Sequence, residues 1–112
     1  MPREFALIST KPIGVEAVAA VAGAANPRLG LRTLFGGWAV QLLDAGDTGV
    51  LTIEVSRWLE TPPAQHAGDC GDGGVWWTEA SAPWGSAGAQ GAQLVRALAS
   101  NAGAELITED DQ

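Results

Sequence analysis

Cysteine occurs once, histidine once and tyrosine not at all in these 112 residues. Cys70 on its own can form no intrachain disulfide, so the fold has to rest on burial, and the expected setting is a reducing, cytoplasmic one. Basic residues are scarce as well. Six Lys and Arg stand against thirteen Asp and Glu, a net charge of −7, and Arg3, Lys11, Arg28, Arg32, Arg57 and Arg96 are scattered along the chain. A phosphate backbone is bound by concentrated positive charge, so no nucleic-acid partner is expected. Long apolar runs are missing too. The longest uncharged stretches are diluted by Gly, Ala and Gln, which leaves no expected membrane span. The first residues run straight into a strand-length apolar segment without the cleavage site of a secretory leader.

What is present suits one α+β domain over residues 1–112, with 46% apolar residues in a length typical of a single core. Residues 5–8 read as a buried strand. Thr10 is a candidate helix cap, and residues 13–25 form a one-sided helix with Val15, Val18, Ala19 and Ala22 in its stripe and Asn26-Pro27 as its stop. A weaker strand, 29–35, ends at Gly36-Gly37, which reads as a tight hairpin or a bulge. Residues 38–43 and 50–58 then alternate as half-buried strands, the first with Trp38, Val40 and Leu42 on one face and the second with Leu51, Ile53 and Val55 on one face. Residues 61–74 carry Pro62-Pro63 and several glycines with no apolar period, and a flexible loop is expected over 60–74. Residues 75–80 are a strand, 86–102 a second helix with Gly103 as its left-handed cap, 105–108 a last strand and 109–112 a solvated acidic tail. Small residues at 87 and 91 would let the second helix approach the sheet closely. This order predicts a two-layer sandwich: a mainly antiparallel sheet with two helices on one face, a ferredoxin-like βαββαβ core or an elaborated variant of it.

Motifs for chemistry are few. His66, Asp69, Cys70 and Asp72 fall within seven residues of each other in the loop, but a tetrahedral zinc site needs a second pair of ligands, and no other His or Cys exists. The same run lacks the ligand spacing of a calcium loop, so no metal and no cofactor is expected. Cys70 with His66 lacks a rigid scaffold for nucleophilic catalysis. Glu54 and Glu79 sit on neighbouring strands at outward positions, where strands ordinarily carry solvated charge. Gly-rich stretches at 71–74 and 85–91 lack a phosphate-binding pattern. No catalytic residue is assigned, and the chain is not expected to be an enzyme.

Tryptophan is the residue in excess, with five against two Phe. Trp76 and Trp77, being adjacent in a strand, point to opposite faces of the sheet, and a core of this size does not readily hold all of Trp38, Trp58, Trp76, Trp77 and Trp84. Either one of Trp76 and Trp77 is exposed on the face away from the helices, or the 61–74 loop folds over it. The interface candidates are therefore Trp58, Trp76, Trp77, Leu43, Glu54 and Glu79.

The segments Gly37-Trp38-Ala39-Val40-Gln41-Leu42-Leu43-Asp44, Val50-Leu51-Thr52-Ile53-Glu54-Val55 and Val75-Trp76-Trp77-Thr78-Glu79-Ala80 resemble the amino-terminal region of an uncharacterised actinobacterial family. Its domain of unknown function is sometimes encountered in type VII secretion settings. The resemblance runs from Phe5 to about Thr108; family members continue into a larger second domain, so it transfers no catalytic residue. The expected function is a protein-interaction module binding a protein partner or a second copy through its open sheet face. Two alternatives stand beside it: an acidic inhibitor or immunity-type protein that masks a basic enzyme through Asp44, Asp47, Glu54, Asp69, Asp72 and Glu79, and a small-ligand binder that uses the 61–74 loop.

Overall fold

The computed structural model describes residues 3–60 and 74–108. Its elements run β1 (Arg3–Ser9), α1 (Val15–Ala25), β2 (Gly30–Leu34), a 3-10 turn (Phe35–Gly37), β3 (Ala39–Leu43), β4 (Gly49–Glu54), β5 (Arg57–Leu59), β6 (Val75–Ala82), α2 (Ser86–Ala102) and β7 (Glu105–Thr108). All seven strands join one antiparallel sheet in the order β2-β3-β4-β6-β1-β7, with β5 paired to β6 beyond the end of β4. The segment β7-β1-β6-β4 has the strand order and antiparallel pairing of a ferredoxin-like core. The β2–β3 hairpin extends that core on the β4 side, so the elaboration is two strands and the short β5.

The register sorts side chains between the two faces. Phe5, Leu7, Leu42, Leu51, Ile53 and Ala80 alternate onto one side and form a single core cluster with Val18 and Ala22 of α1 and Leu94, Val95 and Leu98 of α2. Both helices therefore lie on that face, and it is the burial of their apolar stripes that joins the layers. On α1 the inward side is Val18 and Ala22 with Ala17 and Val21 beside them, while Val15 and Ala19 of the expected stripe are exposed. The helix begins two residues later than its apolar pattern suggested, with Gly14 rather than Thr10 at the cap position and no side-chain cap.

α2 occupies its expected span. A Cβ added at Gly91 would fall on the carbonyl oxygen of Val50 in β4 and lie 2.9 Å from the Ala82 Cβ, so the missing side chain is what lets the helix sit on the sheet. Gly88 does the same against the Pro83 carbonyl. At the far end Gly103, with φ of 64°, donates to the carbonyls of Ala99 and Ser100, and Ala104 N–H donates to Ala99 O at 2.8 Å, which closes the helix as a left-handed cap does.

The expected single strand over 50–58 is two strands. Val55 and Ser56 break it. The Val55 N–H still follows the β3 register, donating to the Trp38 carbonyl at 2.8 Å, and the departure comes at Ser56. The Ser56 hydroxyl accepts from Ile13 N–H at 2.8 Å and shares a 2.6 Å hydrogen bond with the buried Thr78 hydroxyl. This network satisfies polar groups that the core would otherwise strand, and it ties the β1–α1 connection to the sheet. Val55 consequently faces solvent rather than sharing the inward face of Leu51 and Ile53. Among the described residues, no helix is long and apolar enough to cross a membrane. The expected loop, apart from Glu60 and Gly74, and the acidic tail lie outside the described residues.

Candidate functional site

On the face opposite the helices, β6 is the central strand. Trp77 stands there between Ile8 of β1 and Arg57 of β5, its two cross-strand neighbours. Two positions further along β6, Glu79 accepts a 2.6 Å hydrogen bond from an Arg57 guanidinium nitrogen, and the pair remains 62% and 43% exposed on its two sides. An ion pair this wet contributes at most about 1 kcal/mol to folding, so its placement matters more than its strength. Glu54, at the end of β4, is exposed and has no ion-pair partner among the described residues.

The wall of this surface comes from the β2–β3 connection. Phe35, Gly36 and Gly37 all have positive φ, at 53°, 66° and 100°. The two glycines adopt that region freely; Phe35 does so against the clash of its own Cβ, at a cost of about 1–2 kcal/mol. The turn holds two large rings in water, Phe35 at 79% and Trp38 at 71% exposure. Both line a groove of about 370 Å³ whose other sides include Val55, Arg57, Trp77 and Glu54. A second groove of about 270 Å³ lies on the other side of Trp77, shares Trp77, Glu54 and Glu79 with the first, and adds Glu4 and Ile107. This face therefore carries two shallow, carboxylate-bearing grooves that share the half-buried Trp77 with Glu54 and Glu79.

Of the expected interface residues, the structure brings Trp77, Glu54 and Glu79 together here. Trp76 and Trp58 are elsewhere. They oppose each other across β5 and β6 on the helix-bearing face and stack edge-on, with ring centroids 5.5 Å apart at 64°. The break at Val55–Ser56 places Trp58 by its own register with β6, so it does not join the surface around Trp77. Leu43 is not exposed: at 8% accessibility it is buried at the bulge between β3 and β4, against Gly30. Glu54 and Glu79 do lie at the same groove, Glu54 exposed and Glu79 half-buried and committed to Arg57. Trp84 packs separately under the Arg3 guanidinium, 4.9 Å from its ring centre.

The alternation of 38–43 assigned Trp38 to the inward face with Val40 and Leu42. The strand begins only at Ala39, and Trp38 belongs to the turn. Phe35 and Trp38 are the site residues that sequence reasoning missed. Their signal was available in Phe35-Gly36-Gly37-Trp38, two aromatics bracketing glycines that permit a left-handed turn. Asp44 and Asp47 lie in the β3–β4 turn, where Asp44 Oδ1 accepts from Gly46 and Thr48 N–H at 2.9 and 3.0 Å, a turn-forming role. Among the described residues no group of three or more His, Cys, Asp or Glu is gathered to hold a metal ion, while His66, Asp69, Cys70 and Asp72 lie outside them. Comparison with family models, with curated proteins and with solved structures gives no significant match.

Proposed function

We propose that this chain is a protein-interaction module and that its contact surface is the open sheet face, centred on the groove between Trp77 and the Phe35–Trp38 turn. One observation carries the reading. Two aromatic rings are held in water by a left-handed turn that costs folding energy, beside a third ring on the sheet. Aromatic side chains at the rim of a groove give little stability to the isolated chain and a large gain when a partner covers them, which is the usual composition of an interface hot spot. A groove of about 370 Å³ is large enough for one or two partner side chains. The negative net charge favours a polypeptide partner over a nucleic acid, and the single cysteine suits work in a reducing, cytoplasmic setting.

Selection of ligands from a random peptide library displayed on phage tests the proposal, since the library samples partner sequences of every composition. The Phe35→Ala, Trp38→Ala double variant should melt like the parent and lose affinity for the selected peptides by about 30-fold or more, the loss expected of a hot spot. Peptides that bind the double variant as tightly as the parent, or that instead lose affinity on Trp84→Ala, would remove the groove from the account.

A further inference from the structure

Resting on that reading, the groove chemistry also names the partner's side chain: we propose that the open face receives an arginine-bearing, extended basic segment of a partner protein, with one guanidinium laid against Trp77 and Trp38 and paired to Glu54. Three features converge on this. First, the charges do not cancel. Among the described residues, the groove beside Phe35 holds Glu54 and Glu79 against Arg57, and the second groove adds Glu4 and no further cation. Second, the carboxylates are unequally committed. Glu79 already accepts from Arg57, whereas Glu54 has no partner among the described residues and lies at the edge of both grooves. An acidic group left open beside an ion pair attracts a second cation, which would relieve repulsion between neighbouring carboxylates on the sheet. Third, the rim is aromatic. Indole faces attract a cation through their quadrupole, and the planar guanidinium both stacks on such a ring and forms a fork of hydrogen bonds to a carboxylate, which an ammonium does not.

The arrangement also explains why the partner segment is extended. The two grooves share Trp77, Glu54 and Glu79, so a chain running from one to the other places side chains that alternate in direction, one toward Glu54 and the next but one toward Glu4.

The probe is a hexa-arginine peptide, compared with hexa-lysine and with hexa-citrulline, which keeps the shape of arginine without its charge. Calorimetry at about 50 mM salt should show binding of the arginine peptide, weaker binding of the lysine peptide and none of the citrulline peptide. Glu54→Gln should reduce arginine-peptide affinity by about tenfold, Asp47→Asn in the distant turn should leave it unchanged, and a rise to about 500 mM salt should lower it steeply. Equal binding to the parent and Glu54→Gln, equal losses from Glu54→Gln and Asp47→Asn, or absence of binding would overturn the inference. The broader proposal is decided separately. If phage-selected peptides depend on Phe35 and Trp38 but are not enriched in arginine and ignore Glu54→Gln, the groove is an interface whose partner is not basic.

Discussion

Replacing Phe35 with glycine should leave the protein about as stable as before, while removing its capacity to bind. Phe35 has φ of 53° and is 79% exposed. Relieving the left-handed strain returns about 1–2 kcal/mol. Against this, the lost ring gives up only about a fifth of the ~1.5–3 kcal/mol that full burial of such a side chain is worth, a few tenths of a kcal/mol. Glycine also frees the unfolded chain by about 0.5–1 kcal/mol. The sum runs from a loss of about 0.6 to a gain of about 1 kcal/mol, a change of no more than about 4 °C in melting temperature for a domain of this size. Phe35→Ala keeps the strain and loses the ring, so it should stay within about 0.5 kcal/mol of the parent. Thermal and urea denaturation followed by far-ultraviolet circular dichroism measure both variants. A loss of more than about 1 kcal/mol in Phe35→Gly would refute the reasoning, because it would mean that the ring packs in the native state or that the left-handed turn is not formed.

Two further expectations concern how the layers are held. Gly91→Ala, which helix propensity alone would make about 1 kcal/mol stabilising, should instead lose about 1–3 kcal/mol because the new methyl meets the Val50 carbonyl and Ala82 and lifts α2 from the sheet; an unchanged or higher melting temperature would contradict the close approach. Ser56→Ala should cost about 1–3 kcal/mol, since it leaves the fully buried Thr78 hydroxyl and the Ile13 N–H without their partner, and urea denaturation should show the midpoint fall with little change in slope.

The fold was legible wherever burial imposes a period. Alternation placed Val40, Leu42, Leu51 and Ile53 on the inward face, and the stripe of Leu94, Val95 and Leu98 with Gly103 after it fixed α2 and its end. The pattern misled where a local hydrogen bond or a turn overrode it. Val55 looks like the next inward residue after Ile53, but β4 ends at Glu54 and the Ser56 hydroxyl turns to Ile13 and Thr78, so Val55 is exposed and Trp58 takes the face of Trp76. Trp38 has the parity of a core residue and lies outside the strand. For the site, the adjacency of Trp76 and Trp77 guaranteed that they diverge but not which way each faces; the pairing of β1 with β6 decides it, by setting Trp77 opposite Ile8 and Thr78 opposite Leu7. The unequal commitment of Glu54 and Glu79 was not legible, because it depends on Arg57 reaching Glu79 from a strand whose existence the sequence pattern concealed.

The five indoles make the central claim directly measurable, because each gives one Nε1–H signal in a two-dimensional ¹⁵N NMR spectrum and each reports a different place in the fold. On titration with a phage-selected peptide, the Trp38 and Trp77 signals should move in step and saturate together, while those of Trp58 and Trp76 in their stacked pair and of Trp84 beneath Arg3 stay in place. Movement confined to Trp58, Trp76 or Trp84, with Trp38 and Trp77 unchanged at saturation, would show that the open sheet face is not the surface through which this protein binds.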